Sequence, residues 1–177
     1  TLVRNRHITK SVSLPIGALT LTGTYQKGDE YTPKELDKLT KVVKKTIKEH
    51  TWLCNVKLPL LGIGGTARNI AKMDQRKLSY PITKLHNYEI PHHRFHEILE
   101  EVKGKSLEER KKISGLSSER ADIIIAGLTI VEELFNYVNT KTLVVGGCGL
   151  REGLFYDYYG EHYLGGNSII DDILVHS

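Results

Sequence analysis

The sequence has little cysteine and no long apolar run. Its two cysteines, Cys54 and Cys148, lie far apart and form no Cys-x-x-Cys pair. This usage is typical of a reducing compartment and argues against a thiolate metal site, so we expect a cytoplasmic protein. The purely apolar runs are only a few residues long, as in residues 123–126, so we expect no segment that spans a bilayer. No basic and then apolar leader opens the chain, so a secretory signal is not expected.

A strong excess of one charge sign is also absent. The formal net charge is +4 over 177 residues, with 26% charged and 40% hydrophobic residues, as in a soluble globular domain. The densest basic cluster lies on one face of a predicted helix without interleaved aromatic residues, and it comprises Lys41, Lys44, Lys45 and Lys48. This pattern indicates a solvated helix face. Nucleic acid is therefore not an expected partner, whereas a small anionic ligand fits the charge.

Apolar periodicity predicts one α/β domain over residues 1–177. Alternation around an Asn-Arg-His turn predicts a β-hairpin in residues 1–15, and apolar runs closed by glycines predict buried strands in residues 56–65 and 141–147. Helical spacing predicts helices within residues 31–50, 66–77, 79–104, 115–138 and 148–160, and a further helix after the tail glycines. Strands that alternate with helices imply at least two parallel neighbours.

Two helix starts carry capping-box residues, and one segment stays ambiguous. Thr32 and Glu35 form one predicted capping box, with Pro33 at the first helical position, and Ser106 and Glu109 form the other. Residues 15–25 fit either further strand or a short helical turn.

The stretch "LLGIGGTARNIAKM" is the first candidate site. Gly62, Gly64 and Gly65 stand between a strand and a helix, where backbone amides and the helix N-terminus can hold an anion. Thr66 could cap the helix or donate to a phosphate oxygen, and Arg68 could add a charge-assisted contact. The alternative is a plain strand–helix turn.

The same glycines also match a dinucleotide-binding fingerprint, Gly-x-Gly-x-x-Ala. That motif requires a second parallel strand with an acidic residue about 20 residues further on. Residues 74–90 contain prolines and no convincing parallel strand, so the pattern disfavours this interpretation.

The second candidate is the segment "SSERAD", residues 117–122. A serine, Ser117 or Ser118, could cap the core helix that follows, while Glu119, Arg120 and Asp122 cluster charge where the chain becomes buried. The alternatives are a capped helix with a local ion pair, or an arginine that reaches an anion in a cleft.

The segment "VVGGCGLREGLFYD" repeats the arrangement of the first site. A strand ends in glycines, and a helix begins with Arg151 and Glu152 close to its start. Two such turns at the ends of neighbouring parallel strands would face one crevice, which favours a phosphate site formed by both.

Two further patterns are predicted not to bind a metal ion or nucleic-acid bases. His92 and His96 are four residues apart on a helix, and without a third ligand in view they indicate a solvated helix face. The tyrosines near the end of the chain are expected to cover an interdomain surface, and they are Tyr156, Tyr158, Tyr159 and Tyr163.

Four segments together resemble the Ppx/GppA family, the exopolyphosphatases and guanosine pentaphosphate phosphohydrolases. They are "SLPIGALTLT", "GIGGTARNIAKM", "ERADIIIAGLTIVEEL" and "GLREGLFYD", in the order of the family and with suitable gaps. The resemblance implies an α/β, ribonuclease-H-like domain of the actin-like ATPase superfamily, with a mixed sheet and flanking helices. It covers the second domain only. The first strand with its DIGGGS-type phosphate loop would precede Thr1, and the first domain with the catalytic glutamate would precede that.

The resemblance also implies a chemistry and assigns roles to residues. The chemistry is attack by water on a terminal phosphoryl group of polyphosphate or guanosine pentaphosphate, with magnesium as the cofactor. Gly64, Gly65 and Thr66 match the phosphate loop of the second domain, and Arg120 matches the arginine of the RAD-like segment. Arg151 and Glu152 match the GLREG turn of the family. There they form either a structural ion pair or a contact with the ligand.

No residue matches the family's catalytic acid, so none is expected to be catalytic and the isolated chain is expected to be inactive. We assign phosphate binding to Gly64, Gly65, Thr66, Arg68, Arg120 and Arg151, and supporting roles to Glu119, Asp122 and Glu152. The rival hypothesis is a non-catalytic actin-like module that binds a nucleotide or alarmone, with self-association through an uncovered sheet edge. A sugar- or acetate-kinase relative fits the SERAD and GLREG segments less well.

Overall fold

The fold is described by a computed structural model that covers residues 1–5 and 7–163. The expected final helix therefore lies outside the described residues. The strands are β1 Leu2–Arg4, β2 His7–Lys10, β3 Leu60–Gly62, β4 Tyr88–Pro91 and β5 Thr142–Val145. The α-helices are α1 Ala18–Tyr25, α2 Pro33–Lys48, α3 Gly65–Lys77, α4 His92–Lys103, α5 Leu107–Arg110, α6 Ile124–Val138 and α7 Leu150–Tyr163, and short 3₁₀ turns occupy Thr51–Leu53 and Ser118–Arg120.

The central sheet has the order β3-β5-β4. Strands β3 and β5 pair in parallel, with Gly62 opposite Val145, so the predicted parallel neighbours are confirmed. The antiparallel β4 was not predicted, because four residues with a proline at the end give too short a pattern. The strand that follows α3 is thus antiparallel, which agrees with the rejection of the dinucleotide fingerprint.

Strand β3 was expected to be buried, and this expectation was wrong. It lies at one edge of the described sheet, where Leu61 is 63% exposed and the following Ile63 is 59% exposed. The sequence pattern predicts the strand correctly. It does not reveal that, among the described residues, no element packs on one face of the strand and no strand pairs with its outer edge.

The predicted hairpin is confirmed as a separate two-stranded sheet. Strands β1 and β2 pair antiparallel, with Arg4 opposite His7. The ambiguous segment after it is α1, which packs on α6 and α2.

Helix α6 forms the centre of the molecule, as its apolar sequence predicted. One face packs with α3, α4 and the sheet around Phe95, Phe135 and Leu128, and another packs with α1 and α2 around Leu39 and Val43. Both predicted capping boxes are present, at α2 and α5. None of the helices in the described ranges is long and apolar enough to cross a membrane.

The predicted serine cap of α6 is wrong. The helix begins at Ile124, after the 3₁₀ turn Ser118–Arg120, and no side chain caps it. The backbone N–H of Ser117 instead donates to the side chain of Asn69 on α3, at 2.7 Å. This contact brings the SERAD segment to the first candidate site.

Candidate anion-binding site

Two glycine turns meet at one end of the parallel pair β3–β5. Gly146 donates its N–H to the carbonyl of Gly62 at 2.8 Å, so the turns that follow the two strands are joined directly. A Cβ added at Gly62 would lie 2.8 Å from that of Ala67, so the close approach of strand to helix requires glycine. Gly64 has φ +104°, which L side chains rarely adopt. These constraints fix the path of the backbone into α3.

Helix α3 begins at Gly65, directly after Gly64. The first amides of a helix have no intrahelical acceptor, so the turn presents free N–H groups and the positive end of the helix dipole. The side chain of Thr66 does not cap the helix. It packs on α6 instead, because a Cβ added at Gly127 would lie 2.9 Å from Oγ1 of Thr66. Its hydroxyl therefore lies between the first turn of α3 and the core helix.

The guanidinium of Arg120 lies over Gly65. A Cβ at Gly65 would overlap this guanidinium, so the missing side chain is what makes room for it. Asn69, which is buried, holds the arrangement: it donates to the carbonyl of Gly65 at 2.8 Å and accepts from Ser117. Sequence reasoning missed Asn69, although an asparagine among the apolar residues of α3 was a usable signal.

Arg68 connects the two turns. Its Nη2 donates to the carbonyl of Gly147 at 3.2 Å, and the N–H of Gly147 donates to Nδ1 of His86 at 3.2 Å. A Cβ at Gly147 would lie 2.8 Å from that of His86, so this glycine admits the histidine. The rim of the site therefore includes His86, to which sequence reasoning assigned no role.

The GLREG turn is organised by a cap. Glu152 accepts a hydrogen bond from the N–H of Gly149 at 2.7 Å, and this bond, with smaller contributions from its own N–H and from the charges of Arg151 and Arg68, lowers the pKa of its carboxyl. Among the described residues Arg151 is exposed and forms no ion pair with Glu152. The carboxylate thus stabilises the start of α7.

Among the described residues, the acidic residues of the SERAD segment form no hydrogen bond or ion pair with the glycine turns or with Arg120. Asp122 accepts from the N–H of Ile123 at 2.8 Å, and Glu119 is exposed. Neither forms an ion pair with Arg120 in the described part of the chain, so the guanidinium over Gly65 is not neutralised locally. The site gathers free amides and the charge of arginine, a combination that binds anions.

The residues of this site do not by themselves fit a magnesium ion. No three His, Cys, Asp or Glu side chains cluster in a metal-binding arrangement within residues 1–5 and 7–163. Magnesium prefers carboxylate and phosphate oxygens, and the carboxylate at the turns, that of Glu152, is bound to an amide. The described residues at the turns therefore form no preformed magnesium site.

The expected solvated face of the histidine pair on α4 is confirmed only in part: the side chain of His96 is 54% exposed, whereas that of His92 is 33% exposed. Nε2 of His92 lies 2.9 Å from one carboxylate oxygen of Glu132, and Nδ1 of His96 lies 3.3 Å from the other. The His92 ring also stacks on Phe135, with the centroids 4.4 Å apart. The pair therefore joins α4 to α6. The chain-terminal tyrosines named above are all exposed on α7, so their expected interdomain role stays a prediction.

Known proteins with a similar sequence or fold point to one family. The sequence model of the Ppx/GppA phosphatase family matches residues 1–162. A Ppx/GppA enzyme from Aquifex aeolicus has a similar solved structure, with 25% identity, a TM-score of 0.77, and coverage of 91% of this chain and 52% of that one. An exopolyphosphatase from Cytophaga hutchinsonii shares the fold, with 20% identity, a TM-score of 0.78, and coverage of 87% and 51%.

Two curated relatives match over smaller shares of their length. A guanosine-5'-triphosphate,3'-diphosphate pyrophosphatase from Aeromonas salmonicida is 30% identical over 69 residues, 37% of this chain and 14% of that protein. A bifunctional 3-dehydroquinate synthase/phosphatase from Fusobacterium nucleatum is 26% identical over 148 residues, 82% of this chain and 22% of that protein. The chain thus spans about half of the solved relatives and less than a quarter of the curated ones. With the family model matched over residues 1–162 and the fold shared with solved members, the chain belongs to the Ppx/GppA phosphatase family.

Proposed function

We propose that the chain is the second, ribonuclease-H-like domain of a bacterial cytoplasmic phosphatase. Its substrate is inorganic polyphosphate or guanosine pentaphosphate, from which the whole enzyme releases the terminal phosphate. One observation carries the proposal: two glycine turns, the first turn of α3 and the guanidinium of Arg120 meet at the end of the parallel strands.

The residues of this chain would bind and orient the phosphate. The amides of the first turn of α3 and the arginines Arg68 and Arg120 are suited to the equatorial oxygens of a phosphoryl group. In the reaction a water oxygen bonds to phosphorus while the bond to the bridging oxygen breaks, and positioning with electrostatic stabilisation supplies most of the catalysis. The other half of the enzyme would supply the carboxylate that positions the water and most ligands of the magnesium ion. No residue of this chain is proposed as catalytic.

The open edge of the sheet supports the proposal of a missing first strand. Strand β3 has a free edge among the described residues, the hairpin β1–β2 forms a sheet of its own, and Leu61 and Ile63 are exposed beside that edge. A strand with a phosphate-binding loop could pair with β3 and extend the sheet toward the hairpin, with the first domain across the cleft.

A second candidate is a non-catalytic actin-like module that binds a nucleotide or an alarmone. The observation in its favour is that the carboxylate at the turns, that of Glu152, is already used as a helix cap. The sequence upstream separates the two candidates: a DIGGGS-type loop and an acidic first domain favour the enzyme, and an unrelated region favours the module.

The first experiment measures binding of tripolyphosphate by calorimetry and by the shift in melting temperature, with and without magnesium. Arg120→Gln removes the charge over Gly65 and is expected to abolish the shift, whereas Arg4→Gln, on the exposed hairpin, keeps it. No binding to well-folded wild-type protein would contradict a preformed half-site. Release of phosphate by the pure chain, lost in Arg120→Gln, would contradict its inactivity.

A further inference from the structure

A basic groove lies along the second half of α3. It consists of two adjoining cavities of ≈ 410 and ≈ 460 Å³ that share Arg76 and Ser114. The first also has Lys72 in its wall, and the second has Lys77, Lys105 and Lys112, so five basic side chains from α3 and the 105–117 segment surround the groove, together with the carboxylates of Glu101 and Glu109.

The positive charge of this groove is compensated only in part. Within the described ranges, Lys72, Arg76, Lys105 and Lys112 form no ion pair with a carboxylate. Lys77, which also lines the second cavity, pairs with Glu97 and Glu101 at 3.4 and 3.7 Å. The carboxylate of Glu109 accepts from the N–H and the hydroxyl of Ser106, and these bonds, with smaller contributions from the charges of Lys105 and Lys112, keep its pKa low, so it offsets part of the charge of these two lysines. Five cations and two carboxylates therefore line the two cavities, and the excess of positive charge is available to an external anion.

The groove leads to the anion-binding site. Residues 114–120 run beside α3 in the opposite direction, with contacts between Gly115 and Lys72, Ser117 and Asn69, and Arg120 and Gly65. From Gly65 to Arg76 a helix rises about 16 Å, at about 1.5 Å per residue. A linear ligand that ends at the glycine turns can thus follow the segment into the groove.

We propose that this groove binds the internal phosphates of a polyphosphate chain whose terminal phosphate lies at the glycine turns. The inference rests on the proposed function and narrows its substrate to a long linear polyanion. Lysine side chains at exposed positions suit a repeating anion without fixed shape, because each cation contacts one phosphate and releases counterions. Guanosine pentaphosphate carries its phosphates as two separate short groups, a 5'-triphosphate and a 3'-diphosphate, so it offers no continuous row of phosphates from the turns into the groove.

The test compares two double variants that each remove two exposed lysines. Lys72→Gln with Lys112→Gln takes one cation from each cavity, and Lys38→Gln with Lys45→Gln takes two from α2 as the matched control. Binding of long-chain polyphosphate and of tripolyphosphate is measured by calorimetry over a range of salt concentrations.

We expect the groove variant to bind long-chain polyphosphate roughly tenfold more weakly than the control, since each exposed charge pair contributes modestly. The slope of log K against the logarithm of the salt concentration should be shallower by about 1.4 in the groove variant than in the control. Each of the two lost phosphate contacts on a flexible chain accounts for about 0.7. Tripolyphosphate, which reaches only the turns, should bind both variants alike.

Three results would overturn the proposal that the groove binds polyphosphate. The first is an equal loss of affinity for long-chain polyphosphate in the two variants, and the second is unchanged affinity for it in the groove variant. The third is that the groove variant loses affinity for single-stranded RNA or for an acidic peptide but not for polyphosphate. Failure of the proposed function would look different, because wild-type protein would then not bind tripolyphosphate while the comparison with the long chain could still be made.

Discussion

At the scale of single residues, the site depends on glycines whose missing side chains are replaced by other groups. Gly65 admits the guanidinium of Arg120, Gly147 admits His86, and Gly127 admits Thr66. The glycine motifs were visible in the sequence, but the groups that fill the spaces come from distant segments. Pairings across tens of residues have no local pattern, so they could not be predicted.

Gly65→Ala should therefore affect binding more than stability. The new methyl group meets the end of a flexible side chain, so Arg120 moves and the fold tolerates the change. We expect loss of the tripolyphosphate-dependent melting shift with little change in the melting temperature of the free protein. Gly23→Ala in α1, where nothing lies within 4 Å, is the control and should stabilise by about 0.5–1 kcal/mol without affecting binding. Unchanged binding in Gly65→Ala would contradict the role of Arg120.

Gly115→Ala should instead destabilise the fold. Gly115 has φ +91°, and a Cβ there would lie 2.6 Å from the backbone N of Met73. Strain and overlap with backbone are expected to lower the free energy of unfolding by about 1–3 kcal/mol. Denaturant unfolding measures the loss, with Gly104→Ala, whose Cβ makes ordinary contacts, as the comparison. Equal stability of the two variants would refute the claimed strain.

At the scale of elements, the long periodic segments were predictable and the short or exposed ones were not. Helices α2 and α4 bury the residues that their spacing predicted, among them Val43 and Phe95, because one apolar stripe faces the core. Strand β4 has no such pattern, and the exposure of β3 depends on what lies beside it. The contact of the histidine pair with Glu132 was missed because Glu132 lies on another helix.

A buried polar chain joins three elements around β4. Tyr88 donates to Asp74 on α3 at 2.8 Å, and Asp74 pairs with Arg94 on α4 at 3.1 Å. Burial, together with the bond to Asp74 and the charge of Asp74, raises the pKa of Tyr88 to about 12. An acid whose folded pKa lies above its unfolded value near 10 ionises first in the unfolded chain, so stability should fall as the pH rises from about 10 to about 12.

Tyr88→Phe tests this chain of contacts. It removes the hydroxyl donor to a buried carboxylate and should lower the free energy of unfolding at pH 7 by about 1–3 kcal/mol. It should also remove the part of the alkaline loss of stability that is due to this residue, as measured by urea unfolding between pH 9 and pH 12. Tyr25→Phe, at a half-buried position on α1, is the control. An alkaline loss that is identical in Tyr88→Phe and in wild type would disprove the assignment.

At the scale of the whole molecule, the open edge of β3 should make the isolated chain self-associate. Unpaired strand edges with exposed apolar residues pair with other strands. Sedimentation over a range of concentrations should show association that Leu61→Lys reduces and Leu19→Lys does not, although Leu19, on α1, is even more exposed than Leu61. A strictly monomeric wild-type chain would contradict this prediction, and equal reduction in both variants would point to general hydrophobic contact.

The parallel pairing of β3 with β5 has one more consequence, for folding. Leu60 pairs with Leu143, so the loop between the strands contains β4 and helices α3 to α6. Contacts so distant in sequence form slowly, because the entropy of closing the loop is lost before the pairing is gained. The two turns become neighbours only once that loop has closed. An anion that binds them therefore binds only the completed domain, and the rate at which binding appears during refolding will report the closing step itself.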